Sequence, residues 1–388
     1  MTLATRTQLI SPFYVVEILG QVEKLEQQGV DVIRLFVGEP DFATPPAIIE
    51  AAKEALTHQS QGYVNSTGIL ELKQAIAERY QRWHGVSLDP NRVIITPGGS
   101  MALQLAFLAT LNPGDEVLLP EPGYPCNKNL LHTVNAVGVP VYLEADQGMQ
   151  LTLDALEKAL TDKTKAVLIA SPSNPLGSVM SKEQWQQVMQ FCQQHSLQLI
   201  ADEIYHGISF DGLAPSLLEV TQDGWVLQSF SKFYGMTGWR LGWLVAPENA
   251  VEACERIAQN LFLSSPVLAQ QAALVGFQPE VEQLCFDRVA EIKRRRDFLM
   301  QTLPALGLNI LANPDGAFYL YIDISAYSKD AKAFCADLLE KAGVAVTPGL
   351  DFGGPNPDSC IRLAYTVGID RLQQAVDRIE HYLKTLTA

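Results

Sequence analysis

Short apolar runs alternate along the chain with stretches whose apolar positions recur at helical spacing. One such run, Val93-Ile94-Ile95-Thr96, is followed by Gly98-Gly99-Ser100 and a helix-period segment from Met101 to Leu111. Glu116-Val117-Leu118-Leu119 ends in the loop Glu121-Pro122-Gly123-Tyr124-Pro125, and Ala166 to Ala170 leads into Ser171-Pro172-Ser173-Asn174-Pro175. A helix is predicted from about Ser181 to His195, with Ser181 as its cap and Gln184 at the capping-box position. Leu197 to Ala201 ends at Asp202-Glu203, and Trp225 to Gln228 ends at Ser229. Leu241 to Ala246 is a further strand, and a long helical run is predicted from Glu248 to about Leu303.

This rhythm predicts an α/β fold, with a mostly parallel sheet covered by helices on both faces. Towards the C-terminus the texture changes. Ala317 to Asp323 and Ile361 to Ala364 read as strands, with helices between and after them. A smaller α+β domain is expected there, completed by an N-terminal helix near Pro12–Gln28. The expected division is a large domain, 41–275, and a small one formed by 1–40 and 276–388. Asn174, Asp202 and Ser229 each follow an apolar run. They therefore belong at the carboxyl ends of strands, where open α/β sheets bind ligands.

Composition narrows the options. The chain has 388 residues, 47% of them hydrophobic, enough for one large or two medium cores. Its net charge of −15 argues against a nucleic-acid or anionic-membrane partner. The run Lys293-Arg294-Arg295-Arg296 reads as the wet face of an amphipathic helix. Cysteines at 126, 192, 254, 285, 335 and 360 form no CxxC pair, and no His stands near them at metal-ligand spacing, so no metal is expected. His206, beside Tyr205, is expected to support the site from behind its contact residues or to be structural. The N-terminus lacks a signal pattern, and no uncharged apolar run approaches the ~20 residues of a membrane span. A soluble cytoplasmic protein is expected.

The segment Ser229-Phe230-Ser231-Lys232-Phe233-Tyr234-Gly235-Met236-Thr237-Gly238-Trp239-Arg240-Leu241-Gly242 carries the chemistry. A poorly solvated lysine near a fixed cation has a lowered pKa, so its neutral amine can attack an aldehyde. Serines and a guanidinium suit a phosphate dianion. An aldehyde with a phosphate describes pyridoxal 5′-phosphate.

With further motifs in order, the chain resembles the fold-type I, class I/II aminotransferases, close to the subgroup of bacterial aspartate, alanine and aromatic enzymes. The motifs are Gly38-Glu39-Pro40-Asp41-Phe42, Tyr63 with Gly68, Pro97-Gly98-Gly99-Ser100, Tyr124-Pro125, Asn174-Pro175, Ala201-Asp202-Glu203-Ile204-Tyr205, the lysine segment, and Thr347-Pro348-Gly349 with Phe352-Gly353 before Arg362. The resemblance implies a large domain with a seven-stranded, mostly parallel sheet. It implies that Lys232 forms the Schiff base with the cofactor and later moves the substrate proton. Asp202 would face the pyridine nitrogen, although a lone Asp at a strand end also reads as a cap. Tyr205 and Asn174 would donate to the ring oxygen, and Tyr124 would stack on the ring. Gly99, Ser100, Ser229 and Arg240 would cup the phosphate, with Ser231 as an extra contact. Tyr63 would reach it from a neighbouring subunit, implying a homodimer with shared active sites. Arg362 would clamp the substrate carboxylate with help from Gly38 and Asn174.

Relatives specific for aspartate carry small hydroxyl residues near the N-terminus and a lysine after the Gly-Gly pair. This chain has Pro12-Phe13-Tyr14-Val15 and Ser100 there, so Tyr14 is expected to line an apolar substrate pocket. Alanine, branched-chain or aromatic donors are expected, with a 2-oxo acid such as 2-oxoglutarate as acceptor. A carbon–sulfur β-lyase or a cyclopropane-forming synthase shares the same motifs. A cofactor-binding regulator is a third reading, disfavoured by the acidic chain.

Overall fold

Buried apolar side chains alternate between two faces of one sheet in the computed structural model, which describes residues 3–387. In chain order the strands are β1 (Ile33–Arg34), β2 (Val93–Thr96), β3 (Glu116–Glu121), β4 (Val137–Tyr142), β5 (Thr164–Ala170), β6 (Gln198–Asp202), β7 (Trp225–Ser229) and β8 (Gly242–Val245). They continue as β9 (Asn309–Ile310), β10 (Tyr319–Asp323), β11 (Val344–Ala345), β12 (Thr347–Pro348) and β13 (Cys360–Ala364). The main sheet has seven strands in the order β2-β8-β7-β6-β5-β3-β4. Val167, Leu199 and Val226 pack in one core, while Leu168, Ile200 and Leu227 pack in the other. A sheet buried on both faces explains why its strands read as continuous apolar runs. The exception is β4, an edge strand, which tolerates Pro140 because it has a neighbour on one side only.

All pairings in this sheet are parallel except those of β8, which runs antiparallel to both β2 and β7. That reversal positions the site. Ser229 and Thr96 both pair with Gly242, so the ends of β2 and β7 meet the start of β8 at one edge. Ala170 and Asp202 pair at the same edge. The lysine segment, joining β7 to β8, must fold over that edge.

A second sheet, β12-β13-β10-β9, is antiparallel, and β1 pairs with β11 in parallel. The N-terminal helix Tyr14–Gln27 packs Ile18 and Val22 against Leu339 and Ala345. The helix Lys182–Gln194 begins at the expected capping box of Ser181 and Gln184.

Two expectations need correction. The long helical run is three helices, Val251–Leu261, Val267–Ala273 and Pro279–Thr302. Leu263 adopts φ 62°, and Pro266 cannot extend the preceding helix. The basic run is also not a wet face, because Arg295 and Arg296 are buried. Arg295 grips Asp41 through two hydrogen bonds of 2.8 and 3.2 Å, and Arg296 donates to the Pro314 carbonyl at 2.9 Å. Only Arg294 of the four is exposed.

Candidate active site

The lysine segment is held by its own apolar residues. Phe230, Phe233, Tyr234 and Met236 are buried, and each such side chain contributes about 1.5–3 kcal/mol. At its start, Ser229 Oγ accepts the Ser231 N–H at 3.0 Å, closing a tight turn. Lys232 emerges into a cavity of about 280 Å³ and donates to the Gly38 carbonyl at 2.7 Å. Its pKa is pushed down to about 8. Burial is the main cause; Arg362 and Arg240 push the same way, while Glu39 and Asp202 oppose. This is the activation expected of an amine in that setting.

Asp202, Tyr205, Tyr124, Asn174, Arg240 and Arg362 border the same cavity. Asp202 ends β6 and is buried, with its Oδ1 accepting the Ile204 N–H at 3.1 Å. Burial raises its pKa to about 7, against the pull of that N–H and of Lys232. A buried acid held ready for a cation is what a protonated ring nitrogen requires. The Tyr205 hydroxyl lies 2.8 Å from that of Tyr319.

Arg362 is buried on β13, opposite Thr347 on one side and Tyr321 on the other. It donates to Asn174 Oδ1 at 3.1 Å, to the Phe36 carbonyl at 2.5 Å and to Thr347 Oγ1 at 3.3 Å. The rings of Tyr319 and Phe352 flank it at 4.5 and 4.8 Å. Its Nε has no partner among the described residues. A buried guanidinium still short of an acceptor fits a carboxylate ligand. Asn174 spends its oxygen on Arg362, so its amide nitrogen is left to donate.

At the other end, Gly98 caps the helix Gly99–Thr110 with φ 86°. A Cβ there would stand 2.5 Å from Arg240 Nη2, so glycine lets the guanidinium lie against the helix start. A helix N-terminus beside an arginine is suited to phosphate. A Cβ added at Gly99 would stand 3.5 Å from Ser229 Cβ, so both belong to this edge, although neither borders the cavity. Ser100 is exposed on the first turn. Together with the amine, the buried acid and Tyr124, this cradle fits pyridoxal 5′-phosphate.

Besides Gly99, Ser100 and Ser229, two more expected residues do not border the cavity. Tyr63 is 86% exposed and outside the cavity. Tyr14 is also outside it; its neighbours Phe13 and Val15 line the cavity instead, and Tyr14 turns to an adjoining one. Expectation and structure differ there by one residue, because the chain enters its helix at Tyr14 and successive side chains diverge. Tyr319, Glu39 and Thr237 also line the site and were not expected. Glu39 stood inside a quoted motif, and Tyr319 on a predicted strand. His206 is structural, with its ring packed against buried Glu203 and His84.

The family model "Aminotransferase class I and II" matches residues 30–379. A (5-formylfuran-3-yl)methyl phosphate transaminase from Methanocaldococcus jannaschii is 36% identical over 98% of this chain and 99% of its own. A valine–pyruvate aminotransferase from Mycobacterium tuberculosis is also 36% identical, over 96% of this chain and 97% of its own. Among solved structures, an aminotransferase from Mycobacterium tuberculosis superposes with a TM-score of 0.95 at 34% identity, covering 99% of this chain and 100% of the other. The aspartate aminotransferase from Thermus thermophilus with maleate gives 0.93 at 33% identity, covering 98% and 99%.

Proposed function

The chain belongs to the class I and II aminotransferases, which use pyridoxal 5′-phosphate, and on that premise we propose that it moves the amino group of a small or apolar L-amino acid to a 2-oxo acid. Alanine, branched-chain and aromatic amino acids are the donors proposed, and 2-oxoglutarate is a proposed acceptor. The observation that carries this choice is the apolar wall formed by Phe13, Val15, Val37 and Ile204 in the cavity that holds Lys232.

The bound cofactor supplies an electron sink for the pair left at the substrate Cα. The protein's side chains do the rest. Arg362 binds the α-carboxylate, with its unpaired Nε available for the second bond, while Asn174 and Thr347 fix the plane of the guanidinium. Lys232 Nζ, neutral over a useful fraction of molecules near pH 8, takes and returns the Cα proton. Asp202 would hold positive charge at the ring nitrogen, Tyr205 and Asn174 would hold the ring oxygen, and Tyr124 would cover the ring. Arg240, Ser229 and the amides of Gly99 and Ser100 would anchor the phosphate. Gly38 and Phe13 would lie over the substrate and exclude water.

Two further readings belong to the same proposal. The exposed Tyr63 reaches the phosphate of a second subunit in a homodimer. The segments 1–40 and 276–388 close as one small domain against 41–275, in a cytoplasmic enzyme. Among the described residues, no helix is long and apolar enough to cross a membrane.

The test is to supply each amino acid with 2-oxoglutarate and pyruvate and quantify the new amino and oxo acids. Transfer from apolar donors exceeding that from aspartate supports the reading; a preference for aspartate overturns it.

A further inference from the structure

A second cavity, of about 660 Å³, adjoins the catalytic one and shares Tyr124, Ala170 and Asn174 with it. Phe352, whose ring lies 4.8 Å from the Arg362 guanidinium, also lines it. A substrate held by Arg362 thus has this chamber beside it. Much of the wall is apolar, including Leu143, Leu151, Leu176 and Met180.

Several polar groups on the wall are already engaged. Glu121 accepts the Gly354 N–H at 3.2 Å, and the Lys332 ammonium lies 4.8 Å from the Tyr14 ring centre and 3.9 Å from Glu17. Two buried groups are not fully engaged, while Lys128 and His132 line the more open part of the wall. Asp351 and Asn127 are 9% and 8% exposed, and Asp351 Oδ2 and Asn127 Oδ1 have no hydrogen-bond partner among the described residues. The other Asp351 oxygen accepts the Tyr14 N–H at 3.2 Å, and the Val15 N–H and the Arg362 charge also act on the carboxylate, which holds it at the helix start. Both orphaned atoms are acceptors, and no orphaned buried donor borders this chamber among the described residues. A buried acceptor without a partner is costly, and a ligand that brings hydrogen relieves the cost.

We infer that this chamber receives the far end of the amino donor, and that it selects donors whose apolar or aromatic stem ends in an N–H or O–H group. The inference rests on the aminotransferase site proposed above and names a preferred class beyond the small and apolar donors given there. Tyrosine and lysine belong to that class; phenylalanine and norleucine share their stems without the polar tip. A site built to hydrogen-bond a substrate group discriminates strongly against the analogue lacking it.

Matched pairs test this in the wild-type holoenzyme. The kcat/KM for tyrosine over phenylalanine, or for lysine over norleucine, is expected to be about tenfold or more. Asp351→Asn, which replaces one acceptor by a donor, is expected to bring that ratio to within about threefold. Asn127→Leu is a second, independent variant with the same expected direction. Ratios near one in the wild type overturn the inference, as does a variant that slows both members of a pair equally. Calorimetric binding of the same pairs to Lys232→Ala protein reads the chamber without turnover. A binding preference with no transfer in the wild type would overturn the aminotransferase reading while leaving the chamber's selectivity intact; no binding preference overturns the chamber.

Discussion

At the scale of single residues, the site depends on charges removed from water. Lys232 and Asp202 share one cavity, and burial pushes each toward its neutral form, to about 8 and about 7. The sign of the pH effect follows directly. The neutral lysine is the nucleophile, so apoprotein mixed with pyridoxal 5′-phosphate should capture it faster as pH rises through about 8, then level off. Stopped-flow absorbance checks this; a rate that keeps rising to the ordinary lysine range contradicts the lowered pKa. Lys232→Ala is expected to reduce transfer by at least about a thousandfold, since one amine serves as both nucleophile and base. Arg362→Lys keeps the charge but loses the planar fork. It should raise KM for every amino acid by about ten- to a hundredfold, measured by steady-state kinetics.

At the scale of elements, the strand ends decide where chemistry can occur. Asn174, Asp202 and Ser229 were legible as strand-end residues because each lies just past an apolar run, and such runs signal strands buried on both faces; Asn174 and Asp202 border the cavity. The antiparallel course of β8 was not legible, since apolar content carries no direction. Tyr14 lines the adjoining cavity and not the one that holds Lys232, because one position of offset at a helix start changes which cavity a side chain meets. The buried Arg295 and Arg296 show the same limit, because their partners Asp41 and Pro314 are distant in sequence. Gly98 was legible as part of a Gly-Gly pair, and its geometry now gives the reason. A Gly98→Ala change imposes φ 86° on a residue with a Cβ and pushes it onto Arg240. Cofactor affinity is expected to fall by about tenfold or more, read by equilibrium titration, with the fold retained.

At the scale of the whole molecule, a single chain leaves Tyr63 outside the site and 86% exposed. If it completes a neighbour's phosphate site, mixed dimers of Lys232→Ala and Tyr63→Ala protein should recover activity that neither parent shows. One of their two sites would then be intact. Absence of recovery in verified mixed dimers would show that the sites are not shared. The most direct test of the central reading uses wild-type protein with bound cofactor and one apolar amino acid, without any 2-oxo acid. Visible absorbance and the released oxo acid are followed together. Stoichiometric loss of the aldehyde form, with an equal amount of the matching 2-oxo acid, is the expected result. An absorbance that persists, with no matching 2-oxo acid released, would contradict amino transfer as this enzyme's reaction.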